Sequence, residues 1–246
     1  MENSIRVMII HAHIIAWNEE RILPFTLDYY SQFCEKIYIY DNMSNDGSDE
    51  IYKKYDKVVV KKWSNSNNNF NEIEATHLRN NAYKQSRGKA DWVIVCDCDE
   101  FLYHPNLIDK LKEYKNGGIT VPKIDGHDMY SDDFPVYDGE LLTDKVKIGS
   151  ETYDMMCKNI IFNPTLDSQY GVGSHSFKAE NAVYSDDPEL MLLHYKFLGK
   201  EYVLWRYENL AKRRNKLMEQ TGMGGHWTRP PMKYMDEMKE KQNKVI

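Results

Sequence analysis

Within the first 96 residues an apolar, strand-like run gives way to a helix-like run again and again. That alternation limits the fold more than any other feature. Residues 5–17 read as a first buried strand. Ile22, Leu23, Phe25, Leu27, Tyr30 and Phe33 mark the helix after it, with Asn18 as its cap and Glu19 and Glu20 in its first turn. A second strand over 36–40 is closed by the turn-rich run Asp41-Asn42-Met43-Ser44-Asn45-Asp46-Gly47-Ser48. A short helix over 48–55 leads to a third strand over 57–63, followed by a polar loop over 64–70. Asn71 and Glu74 suggest a capping box for a helix running to Arg87, with Gly88 as its stop, and Trp92 to Cys96 is the fourth strand. Such strand–helix–strand units cross over right-handed and build a mainly parallel sheet.

The second half is less regular. Residues 106–114 read as a helix closed by Gly117-Gly118, 119–124 as a strand, and 125–190 as short strands among Asp, Gly and Pro loops. Residues 201–220 read as a helix carrying a basic patch at Lys212-Arg213-Arg214, and 232–244 as a charged terminal helix. No repeat or long linker divides the chain. One domain over 1–246 is therefore expected, with parts at 1–104, 105–200 and 201–246.

The formal charge of -6 argues against a nucleic-acid binder, whose affinity rests on neutralising phosphates with Lys and Arg. Apolar residues make up 41%, enough for a core, yet no run approaches the roughly 18 apolar residues of a membrane span. His11, His13, Asn18 and Glu19 interrupt the first apolar stretch, so it does not read as a secretion signal. Cys34, Cys96, Cys98 and Cys157 lack zinc-ligand spacing and read as reduced thiols of a cytosolic protein.

Polar residues gather where the strands end. Ligands of an open parallel sheet sit beyond the carboxyl ends of its strands. Asn18-Glu19, Asp41, the 64–70 loop and Cys96-Asp97-Cys98-Asp99-Glu100 converge there. Successive strand residues point to opposite faces, so Asp97 and Asp99 are expected to share a face while Cys98 points away. Two such carboxylates suit a hard divalent cation that takes the rest of its shell from water and a substrate diphosphate. No Gly-x-Gly-x-x-Gly follows the first strand and no Walker lysine loop occurs, which removes support for dinucleotide binding and P-loop chemistry.

These segments together resemble the family 2-type glycosyltransferases, in the branch whose metal motif reads Asp-x-Asp-Glu-Phe. The resemblance lies in Trp17-Asn18-Glu19-Glu20, the 41–48 turn, Arg79-Asn80 and Asp97-Cys98-Asp99-Glu100-Phe101. Gly126-His127-Asp128-Met129, the run 158–164, Gly173-Ser174-His175 and Leu193-His194-Tyr195-Lys196 match less specifically. Coverage is roughly 7–200. The turn begins Asp-Asn where the family more often has Asp-Asp.

The resemblance implies a GT-A-type, Rossmann-like α/β fold, with a mixed, mainly parallel sheet flanked by helices. An irregular acceptor-side half and C-terminal helices would follow. It also implies transfer of a sugar from a nucleotide-diphosphate donor to a hydroxyl of a glycan or lipid-linked glycan, with inversion, in surface polysaccharide synthesis. Trp17, Asn18, Glu19 and Asp41 would hold the nucleoside, Arg79 would lie near base or phosphates, and Asp97 would meet the ribose or the metal's waters. Asp99 would ligate Mn²⁺ or Mg²⁺, with His194 or His175 completing the shell. Asp128 is the first choice of base, with Glu100, Glu151 and Asp154 as rivals. The expected location is cytoplasmic; the basic patch reads as a solvated helix face, with peripheral association at the inner face of the membrane as the alternative. A sugar-phosphate nucleotidyltransferase and a non-catalytic sugar-binding protein on the same fold are the alternatives.

Overall fold

The computed structural model describes residues 7–64 and 70–246. Most of the predicted 64–70 loop, and the first two residues of the predicted first strand, lie outside them. β1 (Ile10–Ala16) is buried along its whole length. α1 (Leu23–Ser31) follows, with Pro24 in its first turn, where a missing N–H does no harm. Asn18 does not cap this helix, contrary to expectation. It takes a left-handed φ of 51°, donates its N–H to Ser44 Oγ, donates its side-chain amide to Asn45 Oδ1 and accepts the Asn45 N–H on its own Oδ1.

β2 (Lys36–Asp41), α2 (Ser48–Tyr52) and β3 (Val58–Lys62) come next. α3 (Glu72–Asn81) is capped by the Asn71 side chain, which accepts from the Ile73 N–H, and tightens into a 3-10 turn over Ala82–Ser86. β4 (Trp92–Asp97) completes the parallel set: β2 and β4 flank β1, and β3 lies outside β2.

The chain turns at Cys98-Asp99 and enters β5 (Glu100–Tyr103), which belongs to a second sheet. After α4 (Leu107–Asn116), the strand expected over 119–124 is displaced to β6 (Ile124–Ser131). Pro122 has no N–H to give a ladder, and the earlier residues keep one isolated bridge, Val121 to Tyr184. α5 (Leu142–Lys145), β7 (Ile148–Gly149), β8 (Ile161–Phe162), β9 (Ser168–Tyr170) and β10 (Phe177–Ala179) are short. β11 (Leu190–Leu198) is long and central to the second sheet.

The helix expected over 201–220 is two helices, α6 (Lys200–Lys212) and α7 (Lys216–Thr221). Asn215 explains the break, because its side chain accepts from the Met218 N–H and starts a new helix. α8 (Pro231–Lys241) and β12 (Asn243–Lys244) end the chain.

The first sheet has the order β3-β2-β1-β4-β8 and the second β12-β7-β6-β11-β5. One apolar cluster spans both, joining Trp92 and Ile94 to Phe101, Leu192 and Tyr195. Burying each such side chain is worth about 1.5–3 kcal/mol, so the sheets are held as one core. Gly126 lets the segment 154–156 lie against β6, because a Cβ there would meet the Met156 carbonyl oxygen at 1.9 Å. Among the described residues no helix is long and apolar enough to cross a membrane.

Candidate active site

Strand register builds the site. In the first sheet Ala16 pairs with Asp41 and Ile15 with Asp97, so the carboxyl ends of β1, β2 and β4 lie at one edge. In the second sheet His194 pairs with Glu100 on one side and Asp128 on the other. The Cys98-Asp99 corner joins the two edges, and the Tyr195 N–H donates to the Asp99 carbonyl at 2.7 Å. Residues far apart in sequence thus meet around one acidic corner. The pleat does not continue through it: β4 ends at Asp97 and β5 begins at Glu100.

Each carboxylate of the corner has a cation. Asp97, with a 36% exposed side chain, accepts from Arg79 at 2.9 Å; Arg79 is buried and also reaches Glu72 at 3.1 Å. Glu100 is buried, pairs with Lys158 at 2.6 Å and accepts the Asp97 N–H at 2.9 Å. Asp99 lies 3.3 Å from His194 Nε2 and 3.0 Å from Arg206. His194 Nδ1 is 2.7 Å from Asp128, whose other oxygen accepts from the Tyr153 hydroxyl. Arg206 reaches Glu19 at 2.8 Å and the Tyr202 hydroxyl at 2.9 Å.

The electrostatics follow from these pairs. Burial works to raise the Asp99 pKa, but Arg206 and His194 outweigh it and hold the carboxyl well below its usual range. Burial likewise works to lower the His194 pKa, and Asp99 and Asp128 outweigh it, raising it to about 9. Asp128 is lowered despite its burial, chiefly by the bond to His194. Glu19 is raised to about 7 by burial, with Arg206 opposing.

The other end of the edge is aromatic. Arg213 stacks on Trp17, 3.8 Å from guanidinium carbon to ring centroid, and donates to the Asn42 side chain. Burial lowers the Arg213 pKa to about 10, with Asp41 opposing. Asp41 is fully buried and its oxygens are engaged by the Ser44 N–H, the Tyr52 hydroxyl and Lys62, at 2.7, 2.9 and 3.0 Å. Its side chain therefore shapes the turn at the end of β2. Asn42, beside it, faces the Trp17–Arg213 stack.

Other expected residues are placed as follows. His194 faces Asp99, whereas His175 is exposed and turns Nδ1 to the Met155 carbonyl at 2.8 Å. Glu151 and Asp154 are exposed on the loop before β8. Glu100 pairs with Lys158 and accepts the Asp97 N–H, and so braces the corner. The basic patch reduces to Lys212: Arg213 stacks on Trp17 and Arg214 donates to the Met218 and Met223 carbonyls, both at 3.0 Å. His11 and His13 lie away from the site, buried and sharing Ser86 Oγ at 2.8 and 2.9 Å.

Sequence reasoning missed Arg206, Tyr153 and the inward turn of Arg213. Arg206 and Arg213 are seven residues apart, two helical turns, and that spacing was the available signal of a shared face.

A hard divalent cation fits this corner. Among the described residues no three His, Cys, Asp or Glu side chains form a ready cage. Cations such as Mg²⁺ often take one or two protein carboxylates and complete the shell with phosphate and water. Asp99 Oδ2 and His194 Nε2 face each other at 3.3 Å, close enough to share one ion, while Asp128 fixes the other ring nitrogen as ligand histidines require.

The sequence profile described as Glycosyl transferase family 2 matches residues 12–179. Among solved structures, that of S. aureus TarS is similar at 15% identity and a TM-score of 0.46, covering 84% of this chain and 41% of that one. S. aureus TarS 1-349 in complex with UDP is similar at 15% identity and a TM-score of 0.46, over 84% of this chain and 65% of that one. The complex of the same fragment with UDP-GlcNAc gives 15%, 0.46, 84% and 66%. This chain thus spans less than two thirds of each of these structures. No curated protein matches it by sequence.

Proposed function

Since the chain belongs to glycosyl transferase family 2, we propose that it moves a sugar from a nucleoside-diphosphate donor to an acceptor hydroxyl. The observation that carries this reading is the acidic corner at the sheet edges, where Asp97, Asp99, His194 and Asp128 lie among Arg79, Lys158 and Arg206.

The nucleoside lies along the ends of β1 and β2, on Trp17, with Asn42 and Arg213 at its edge. The diphosphate lies toward the corner, within reach of Arg206 and Arg79. Asp99 and His194 would hold Mn²⁺ or Mg²⁺, which would supply charge neutralisation for the departing diphosphate. Asp97, tied to Arg79 and partly exposed, faces the ribose or the ion's waters.

Asp128 takes the acceptor proton. Its Oδ1 is fixed by His194, and its Oδ2 carries the hydroxyl of Tyr153, a side chain 41% exposed. The Tyr153 hydroxyl stands where an acceptor hydroxyl would donate. A carboxylate held below its usual range is a weak base, so the proton moves late, once the attacking oxygen has bonded to the anomeric carbon and become acidic. Attack opposite the leaving diphosphate inverts the anomeric centre. A glycan or lipid-linked glycan is the acceptor class we assign, as in surface polysaccharide synthesis.

The test is a panel of nucleotide sugars with Mn²⁺, read by nucleoside diphosphate release with and without glycan acceptors. Release that depends on Asp99 supports the assignment. Pyrophosphate release from a nucleoside triphosphate and a sugar phosphate, with no donor turnover, would replace it with a nucleotidyltransferase.

A further inference from the structure

Arg206 holds the oxygen that a cation would need. One of its nitrogens lies 3.0 Å from Asp99 Oδ2, the same oxygen that faces His194. Its other terminal nitrogen is anchored on Glu19 and the Tyr202 hydroxyl. The guanidinium therefore has a fixed arm and an exchangeable arm. Its helix is rooted directly behind the histidine's strand: Gly199, between β11 and α6, takes a φ of +76°, and a Cβ there would meet the Phe134 N at 2.5 Å. Arg206 thus comes to Asp99 on a short, constrained connection from His194.

We propose that Arg206 is a positioning residue that couples cation binding at Asp99 to the donor's diphosphate. This rests on Asp99 and His194 being the cation ligands. With no diphosphate present, Arg206 neutralises Asp99, and a free dication must approach a carboxylate that already carries a positive partner. A donor diphosphate offers the exchangeable arm a different anion while Glu19 and Tyr202 keep the other arm in place. Asp99 is then released as the phosphates and their cation arrive together. The site selects the cation–diphosphate complex over the free ion, and by linkage each raises the other's affinity.

The experiment measures Mn²⁺ binding to the full chain by electron paramagnetic resonance of the free ion, with and without UDP as the probe nucleotide. Wild type, Arg206→Gln, Arg206→Lys and Asp99→Asn are compared. Wild type should bind Mn²⁺ weakly alone and roughly ten- to hundredfold more tightly with UDP. Arg206→Gln should bind Mn²⁺ alone at least about tenfold more tightly than wild type, with most of the UDP enhancement gone. Arg206→Lys, which keeps the charge, should retain part of the enhancement. Should Arg206→Gln fail to fold, Arg206→Met keeps the volume without the charge and gives the same reading. Equal or weaker Mn²⁺ binding in the neutral variants, with the UDP enhancement intact, overturns the coupling. Absence of Asp99-dependent Mn²⁺ uptake in wild type and the Arg206 variants, even with UDP, removes the cation site itself and the coupling with it.

Discussion

The Arg213 guanidinium carbon lies over Trp17, 3.8 Å from the ring centroid, and no carboxylate forms an ion pair with it among the described residues. One terminal nitrogen donates to Asn42; the other is buried without a hydrogen-bond partner among those residues. A half-buried guanidinium over an indole, with one unused buried donor, would under the proposed function give a nucleobase a platform to share or take over. Alanine at Trp17 should weaken UDP binding by roughly tenfold or more, the usual worth of a stacked base. Calorimetric titration with UDP checks this, and unchanged affinity would move the nucleoside elsewhere.

Asp99→Asn should cut donor turnover by about a hundredfold or more, by removing the anionic partner of His194 and Arg206 at the corner. The same change leaves two buried cations short of a partner, so stability should fall by about 3 kcal/mol while the fold persists. Nucleoside diphosphate release and urea unfolding measure the two effects separately. Full turnover in this variant would end the role given to the corner.

Asp128→Asn should reduce transfer to acceptor by about 10²- to 10⁴-fold. Slow hydrolysis of the donor should fall much less, since water needs no positioned acceptor. Tyr153→Phe should mainly change the acceptor KM, because it vacates the oxygen an acceptor hydroxyl would use. Initial-rate kinetics at varied acceptor concentration tell the two apart.

His13 is buried, and its pKa is lowered to about 3 by burial, with His11 adding to the shift. Unfolded, it would take up a proton near pH 6.5. The folded state therefore loses stability as pH falls from about 6.5 toward 3, by up to about 1.4 kcal/mol per pH unit from this group. His13→Gln should flatten that part of the stability profile. An unaltered slope in urea melts across these pH values would rule His13 out as its source.

Gly126→Ala should destabilise the protein by at least about 1–3 kcal/mol, since backbone at Met156 must move to admit the methyl group. The segment that moves follows directly on Tyr153. Acceptor-dependent rate should therefore fall more than donor hydrolysis does.

The parallel sheet was legible because each of its strands is an apolar run with turn residues beyond it, and β1, β2 and β4 lie within two residues of their expected carboxyl ends. That acidic residues gather beyond β4 was legible from the run Asp97-Cys98-Asp99-Glu100 itself. The partners of the corner were harder to read. His194 meets Asp128 only through the parallel pairing of β6 and β11 in the second sheet, a pairing that no local pattern announces. The surroundings of Asp41 were hidden, because sequence shows its charge and not the Tyr52 hydroxyl, Lys62 and Ser44 N–H that engage it. Arg213 and Arg214 looked like solvated charge because the break at Asn215, which ends the first helix, is itself a side-chain hydrogen bond.

The passage from β4 to β5 is two residues long, and its ends are pinned in different sheets. Asp97 keeps step with β1 and Glu100 with β11. A lengthening of this joint by even one residue would put the edges of the two sheets out of phase, whatever the inserted side chain.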